Sequence, residues 1–446
     1  MQMPDETALR PGEAQILGRA RDGKGYNRRP VFALRRALVA RLGAAEGHRL
    51  WRALIPADML PPGEALRPLR LTPMQQAAHD TGGLIPIAPQ GRIIEAPPPR
   101  VIGEGNHRTL RKAGRAAFAG RLQGAVVVGA SAAILAGERL VWDGTAEEIE
   151  ETGDAIDFDP AIVAHDPATG RLLAPDYGPD LPGIDTGFDM LGWTSGNFGH
   201  WMMEYLPRFM LAQIHGGLPE SAVVLVDEVM PPSHYEALSL LLPEGAELRV
   251  VPRFTPLRVR DLGVVSALNY PALAPQRDDV VIDHAAVDPE LFSTAARAMA
   301  ARLDETAGPG DGPEKVYLSR RAFARRALVN IDEIEEAARA EGFAIVQPET
   351  LSFAEQFRLL RGARVVAGPE GSAMMLGMFC RPGTRAVLLN HQVTEHLPTL
   401  SAALERGGLD ITVLTGPEED AQGKFAHNAS YRVDPEMWRG LLAGEG

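Results

Sequence analysis

From residue 314 onward, short apolar runs alternate with stretches patterned at helical spacing. Val316–Leu318, Ala344–Val346, Arg364–Ala367, Ala386–Leu389 and Ile411–Leu414 read as strands. Ile331–Gly342, Phe353–Gly362, Ser372–Phe379 and a segment near Glu395–Arg406 read as helices. Strand and helix in regular alternation predict a parallel sheet, here a doubly wound sheet of the Rossmann type. Asn330 with Glu333 and Ser352 with Glu355 have capping-box spacing at two of the helix starts. Upstream the same rhythm predicts strands at Gly124–Val128, Ala132–Leu140, Ala222–Val226 and Glu247–Val251. It predicts helices at Tyr235–Leu242 and at Phe198–His215, the latter kinked by Pro207. Gly308-Pro-Gly-Asp-Gly-Pro313 separates the two stretches as a linker, and Ala96-Pro-Pro-Pro99 marks an earlier boundary. Before it, Val31–Ile55 predicts one helix, with Leu34, Leu38 and Leu42 on a stripe and Arg35, Arg36 and Arg41 off it. The organisation expected is an N-terminal extension, partly helical, over 1–95, an α/β half over 96–307, a second α/β half over 314–420 and a tail with a helix over 421–446.

Composition agrees with a globular chain: 446 residues, 45% hydrophobic and 23% charged, enough for two or three domains. No apolar run reaches the ~18 residues needed to span a bilayer. The first 30 residues lack the apolar core of a signal peptide, so a cytoplasmic location is expected. The single cysteine, Cys380, excludes an intramolecular disulfide and a thiolate zinc cluster, and is expected to pack rather than react. Net charge is −13, unevenly spread: residues 1–120 carry 19 Lys and Arg against 10 Asp and Glu, which leaves −22 on the rest. So acidic a body argues against a nucleic-acid enzyme. The basic N-terminal part suits an anionic substrate or peripheral contact at the inner face of a membrane, but a solvated Arg surface is the plainer account. An apolar stripe such as that of 31–55 more often packs on the body of a protein than on lipid.

Two segments carry candidate chemistry. In Gly368-Pro-Glu-Gly-Ser-Ala373 a strand turns into a helix; Gly368 and Gly371 permit the tight turn, and amides at the helix start favour an anion such as pyrophosphate. The turn is neither a Walker loop nor a GxGxxG loop, which weakens ATP hydrolysis and NAD chemistry. Ser319-Arg-Arg321, with Arg325 and Arg326, follows the strand at 316–318 and falls at the same sheet edge, where a guanidinium could grip a diphosphate; a surface Arg patch competes evenly with that reading. In Asn197-Phe-Gly-His-Trp-Met-Met-Glu-Tyr-Leu-Pro-Arg208, His200, Glu204 and Arg208 share one helical face, with Asn197 as N-cap. The helix N-terminus would keep His200 a neutral base, oriented by Glu204, or Glu204 would itself be the base. An ordinary Glu204–Arg208 ion pair is the competing account. Glu349 and Gln356 flank the same edge as the Arg cluster and could contact a nucleoside. His391 is expected on a loop lining the cleft. No His/Asp/Glu set has convincing metal spacing.

These residues resemble glycosyltransferase family 61, a group found in bacterial capsular-polysaccharide proteins. Asn197–Arg208 resembles its Asn-x-x-His-Trp…Glu…Pro-Arg segment, and Tyr317–Arg321 with Arg326 and Asn330 its Ser-Arg…Arg…Asn segment. Pro348–Gln356 resembles its Pro-Glu-x-Leu-Ser…Gln stretch, and Gly368–Ala373 its Gly-Pro-His-Gly-Ala turn. The likeness covers roughly residues 100–415. It implies a GT-B-like fold of two facing Rossmann-like domains and inverting, metal-independent transfer of a hexosyl or pentosyl group. It also implies a nucleotide-sugar donor substrate, no other cofactor, and a glycan or lipid-linked glycan acceptor in cell-surface polysaccharide synthesis. Carried over residue by residue, His200 and Glu204 would be catalytic. Ser319, Arg320, Arg326, Asn330, Gln356, Gly368, Glu370, Gly371 and Ser372 would hold the donor. Glu370 departs from the family, which has His there, and Ser372 stands for its usual Ala or Gly. A carboxylate beside a diphosphate would repel it unless turned away, which raises a second reading: a degenerate member that binds nucleotide sugar or glycan without turnover, as a scaffold.

Overall fold

The computed structural model describes residues 9–20, 28–55, 65–104, 109–144, 156, 159–166, 171–268, 287–323, 326–391, 397–420 and 429–443. Two sheets organise them. In the larger, strands Gly183–Asp189 (β1), Val223–Asp227 (β2), Glu247–Val251 (β3) and Pro256–Val265 (β4) run parallel in the order β3-β2-β1-β4. β4 then pairs antiparallel with Ala117–Val128. Beyond it the sheet continues through Ile134–Ala136, Arg139–Trp142, Leu66–Pro73, Arg171–Pro175 and Ala164–Asp166. β1, reading Gly-Ile-Asp-Thr-Gly-Phe-Asp, has little strand propensity of its own and is held extended by β2 on one side and β4 on the other.

The second sheet is wholly parallel: Lys315–Leu318 (β5), Ala344–Val346 (β6), Val365–Pro369 (β7), Arg385–His391 (β8) and Asp410–Gly416 (β9), ordered β6-β5-β7-β8-β9. Arg100–Ile102 adds a sixth parallel strand beside β9. Counted from β5 this is the 2-1-3-4-5 order of one doubly wound class. Its direction of winding reverses between β5 and β7, and a crevice opens at their carboxyl ends. The strands and helices expected beyond residue 314 are present within a few residues of their expected ends.

A boundary near residue 95 does not divide the sheets, because Leu66–Pro73 belongs to the larger one and Arg100–Ile102 to the second. Nor is Gly308–Pro313 a loose connection. A Cβ on Gly310 would fall 2.4 Å from the Arg361 carbonyl carbon, so the segment packs on the end of helix Phe353–Gly362. One apolar core runs through both sheets, joining Phe188, Trp201 and Phe209 to Leu318, Phe357 and Val366. Helix Pro289–Thr306 contributes Phe292, Met299 and Leu303 to it. The C-terminal helix Pro435–Ala443 belongs to the second sheet, where Trp438 is buried and donates to the Ile334 carbonyl at 3.0 Å.

Val31–Ile55 is two helices, Arg28–Leu42 and Ala44–Leu54, because Gly43 breaks the run at φ +83°. Their stripe of Val31, Phe32, Leu34 and Leu38 is buried with Trp51 and Phe254, against the body of the protein. Arg35 is not off that stripe. It is fully buried, donates to the Asp159 carbonyl at 2.8 Å and lies over the Phe32 and Trp51 rings. No described helix is long and apolar enough to cross a membrane.

Candidate active site

The loop leading into the first motif is held from beneath. Asp227, buried at the end of β2, accepts from Gly192 N at 2.8 Å and Ser195 Oγ at 2.6 Å. His234 Nδ1 donates to the Ser195 carbonyl at 2.9 Å while its ring stacks on Trp201, centroids 4.8 Å apart and 3° from parallel. Burial holds His234 down to about 4, so it is neutral. Asn197 is the N-cap, its Oδ1 accepting from Gly199 N and His200 N.

Phe198–His200 begins an α-helix, but Trp201–Tyr205 forms a π-helical turn before α geometry resumes at Leu206–Ile214. The distortion ends beside Pro207, which has no N–H to return to the preceding turn. His200 Nδ1 meets Glu204 Oε1 at 2.7 Å, with Glu204 buried and the imidazole about a quarter exposed. Burial pushes the His200 pKa down, but the Glu204 hydrogen bond and charge together outweigh it, and the net shift is upward. The helix terminus therefore does not keep this imidazole neutral, because a carboxylate 2.7 Å away favours the cation. Arg208 does not join the pair. Its Nε and Nη2 donate to the Val265 carbonyl at 3.1 and 2.9 Å, at the end of β4.

The second motif closes on the first sheet's neighbour. Gly368, at φ +150°, passes so near β5 that a Cβ would lie 2.5 Å from the Leu318 carbonyl oxygen. A Cβ on Gly371 would lie 2.8 Å from Arg320 Nε, so the guanidinium rests directly on that glycine. Ser372–Phe379 is a 3₁₀ helix rather than an α-helix. Glu370 is turned to Arg326 in an ion pair, and Arg326 itself adopts the left-handed region at φ +53°. The carboxylate is thus paired, and it takes Arg326 with it.

Other expected donor residues serve the scaffold. Ser319 Oγ donates to the buried Glu335 at 2.6 Å, and Arg321 grips the same carboxylate at 3.0 and 2.8 Å. Asn330 makes no side-chain cap; its amide donates to the Val433 carbonyl at 2.8 Å and, more weakly, to Glu333 at 3.3 Å. Ser352 and Glu355 do form the capping box. Gln356 Nε2 donates to the Pro348 and Leu351 carbonyls, and its buried Oε1 has no partner among the described residues. His391 sits inside β8, fully buried against Glu418, not on a loop. Cys380 packs in the core, its thiol pushed up to about 12 by burial. Arg325 and residues 392–396 lie outside the described residues.

Between the sheets lies a cleft of about 620 Å³, with Asn197 and Glu236 on one side and Arg320, Phe323, Gln356 and Ser372 on the other. The two motifs meet at its base, where a Cβ on Gly199 would stand 3.0 Å from Ser372 Oγ. Glu236, which no motif marked, reaches from helix Pro232–Leu241 to accept from Phe353 N at 2.6 Å and Ala354 N at 3.2 Å. His200, next in the chain to Gly199, does not line the cleft. Glu204 faces a smaller cavity of about 40 Å³ that it shares with Asp189, Thr194, Tyr205 and Arg208. Among the described residues no three His, Cys, Asp or Glu side chains stand together as metal ligands. The arrangement offers a hydrogen-bonded imidazole in one motif and, lining the cleft, a guanidinium that rests on a glycine turn in the other. Residues 198–387, from the first motif into β8, match the family model described as Glycosyltransferase 61. No curated protein matches the chain.

Proposed function

The chain carries a glycosyltransferase family 61 domain over residues 198–387, and from that premise we propose an inverting transfer of a sugar from a nucleotide-sugar donor to a glycan acceptor in cell-surface polysaccharide synthesis. The observation that carries the reading is the close approach of Gly199 to Ser372, which brings the first motif, with its His200–Glu204 pair, against the start of the helix that follows the anion-binding turn. Glu204 holds His200 Nδ1, leaving Nε2 to take the proton of the acceptor hydroxyl. The hydroxyl oxygen forms a bond to the anomeric carbon from the face opposite the leaving group. The bond from that carbon to the diphosphate breaks, and its electron pair leaves on the phosphate oxygen. Arg320 stabilises that departing charge, so the reading assigns no step to a metal. Two sheets on either side of one cleft support a GT-B-like arrangement, with the 2-1-3-4-5 sheet on the donor side.

Transfer and donor hydrolysis, measured across a panel of nucleotide sugars, test the roles. His200→Ala and Arg320→Ala are each expected to lower turnover by roughly 10² or more, the scale of a lost base or charge stabiliser. Near-native turnover in both variants ends the assignment. The second reading, binding without turnover, is favoured by one observation: Glu370 occupies Arg326 and so removes a cation from the site. Nucleoside diphosphate binding by calorimetry, with no hydrolysis or transfer under any acceptor, decides for it.

A further inference from the structure

Phe323 is the most exposed Phe, Tyr or Trp among the described residues, with 49% of its surface open to solvent. It does not stand on a random face. The turn that follows β5 carries it, with Phe323 N bonded to the Arg320 carbonyl at 3.2 Å, and the Arg320 guanidinium lies 5.5 Å from its ring centroid. Its ring lines the same cleft as Arg320 and Ser372. That cleft is chemically mixed: Arg320 with Ser372 of the glycine turn makes a polar part of its wall, and Phe323, Pro348 and Leu351 make an apolar part that adjoins it. A ligand that satisfies both parts joins an anion to a flat apolar group. Glu349 lines the cleft as well, just beyond β6, and makes no ion pair among the described residues. In the dinucleotide-binding Rossmann fold an acidic residue downstream of the phosphate-binding loop accepts from a ribose hydroxyl; Glu349, exposed in the cleft just after β6, offers the same chemistry without that fold's loop.

We propose that Phe323 is the stacking platform for the nucleobase of the donor and that Glu349 accepts from its ribose hydroxyls, so that the cleft takes a ribonucleoside diphosphate. The inference rests on the donor reading above and adds the nucleoside end to it. Stacking on an aromatic face is tolerant of base identity, so Phe323 holds the base without choosing it.

Calorimetry on the full chain with inorganic pyrophosphate, UDP, GDP and 2′-deoxy-UDP tests it. Phe323→Ala is expected to weaken UDP and GDP alike by roughly tenfold or more, the scale of one lost base stack, and to leave pyrophosphate unchanged. Phe323→Tyr restores both nucleotides, and Glu349→Ala, which removes the acceptor, narrows the preference for UDP over 2′-deoxy-UDP. Both residues are exposed, so neither change threatens the fold. UDP binding by Phe323→Ala as tight as that of the unaltered chain overturns the platform, and an undiminished preference for UDP over 2′-deoxy-UDP in Glu349→Ala overturns the ribose contact. If the unaltered chain binds pyrophosphate as tightly as any nucleotide, this inference falls while the anion site stands. If it binds neither, the donor reading falls too.

Discussion

His200 and Glu204 set the pH at which proton abstraction can begin. Burial alone would lower the imidazole, and the hydrogen bond and charge of Glu204 reverse that, so its pKa lies above 6.5. The base is therefore free only as pH rises past that value. kcat/KM is expected to fall on the acid side with a limb above 6.5. Glu204→Gln keeps a hydrogen-bond acceptor but removes the charge, so burial prevails and the limb moves to lower pH. A pH–rate profile in which the two enzymes share one limb contradicts this coupling. The neighbouring Arg326–Glu370 pair makes a second residue-level prediction. Glu370→Gln keeps the size of the side chain and releases Arg326, so pyrophosphate should bind severalfold more tightly at fixed ionic strength, in line with the ~1 kcal/mol of a partly exposed pair. Unchanged affinity in calorimetry would mean that Arg326 cannot turn to the cleft.

At the scale of elements, the cleft is tied across by a helix start. Helix Phe353–Gly362 has its first amides bound by Ser352 in its own chain segment and by Glu236 from a helix of the larger sheet. Ser352→Ala should cost about 1 kcal/mol and Glu236→Ala about 1–2 kcal/mol in urea unfolding, since the second removes a charge-assisted acceptor of two amides. A Glu236→Ala variant as stable as the parent denies the tie. Only half of that arrangement was legible beforehand. The Ser352–Glu355 box depends on residues three apart and could be read from their order. Asn330 and Glu333 have the same spacing, yet the Asn330 amide is drawn to Val433, a partner that spacing cannot reveal. Glu236 carries no signal at all until two helices meet. In the same way β5 to β9 were readable because each apolar strand is followed by a well-marked helix or turn. Leu66–Pro73, rich in Arg and Pro, becomes a strand only because Arg139–Trp142 and Arg171–Pro175 flank it. The π turn at Trp201–Tyr205 was foreseen only as a kink at Pro207.

Over the whole molecule, the shared core brings the carboxyl ends of β1 and β2 close behind the site and buries carboxylates there. Asp189, at the end of β1, is buried, and its pKa is pushed up to about 6, first by burial and then by Asp227, against the lowering effects of Arg208 and the Leu191 amide. The unfolded chain ionises this group near 3.8. Between about 4 and 6 the folded state thus holds a proton that the unfolded state has released, and stability falls as pH rises through that window. Above it the molecule carries a cost on the order of 1–3 kcal/mol for keeping one charge in its interior. Asp189→Asn retains an acceptor for Leu191 N, now 3.1 Å from Asp189 Oδ1, and removes the charge. It should therefore be more stable than the parent in urea at pH 8, by that order, with the advantage shrinking through pH 6 and gone near pH 4. A variant less stable at pH 8 would show that Arg208 needs this carboxylate ionised. The burial of Asp189 would then be a requirement of the Glu204 cavity, and its cost a consequence of placing a proton-transfer pair inside a shared core.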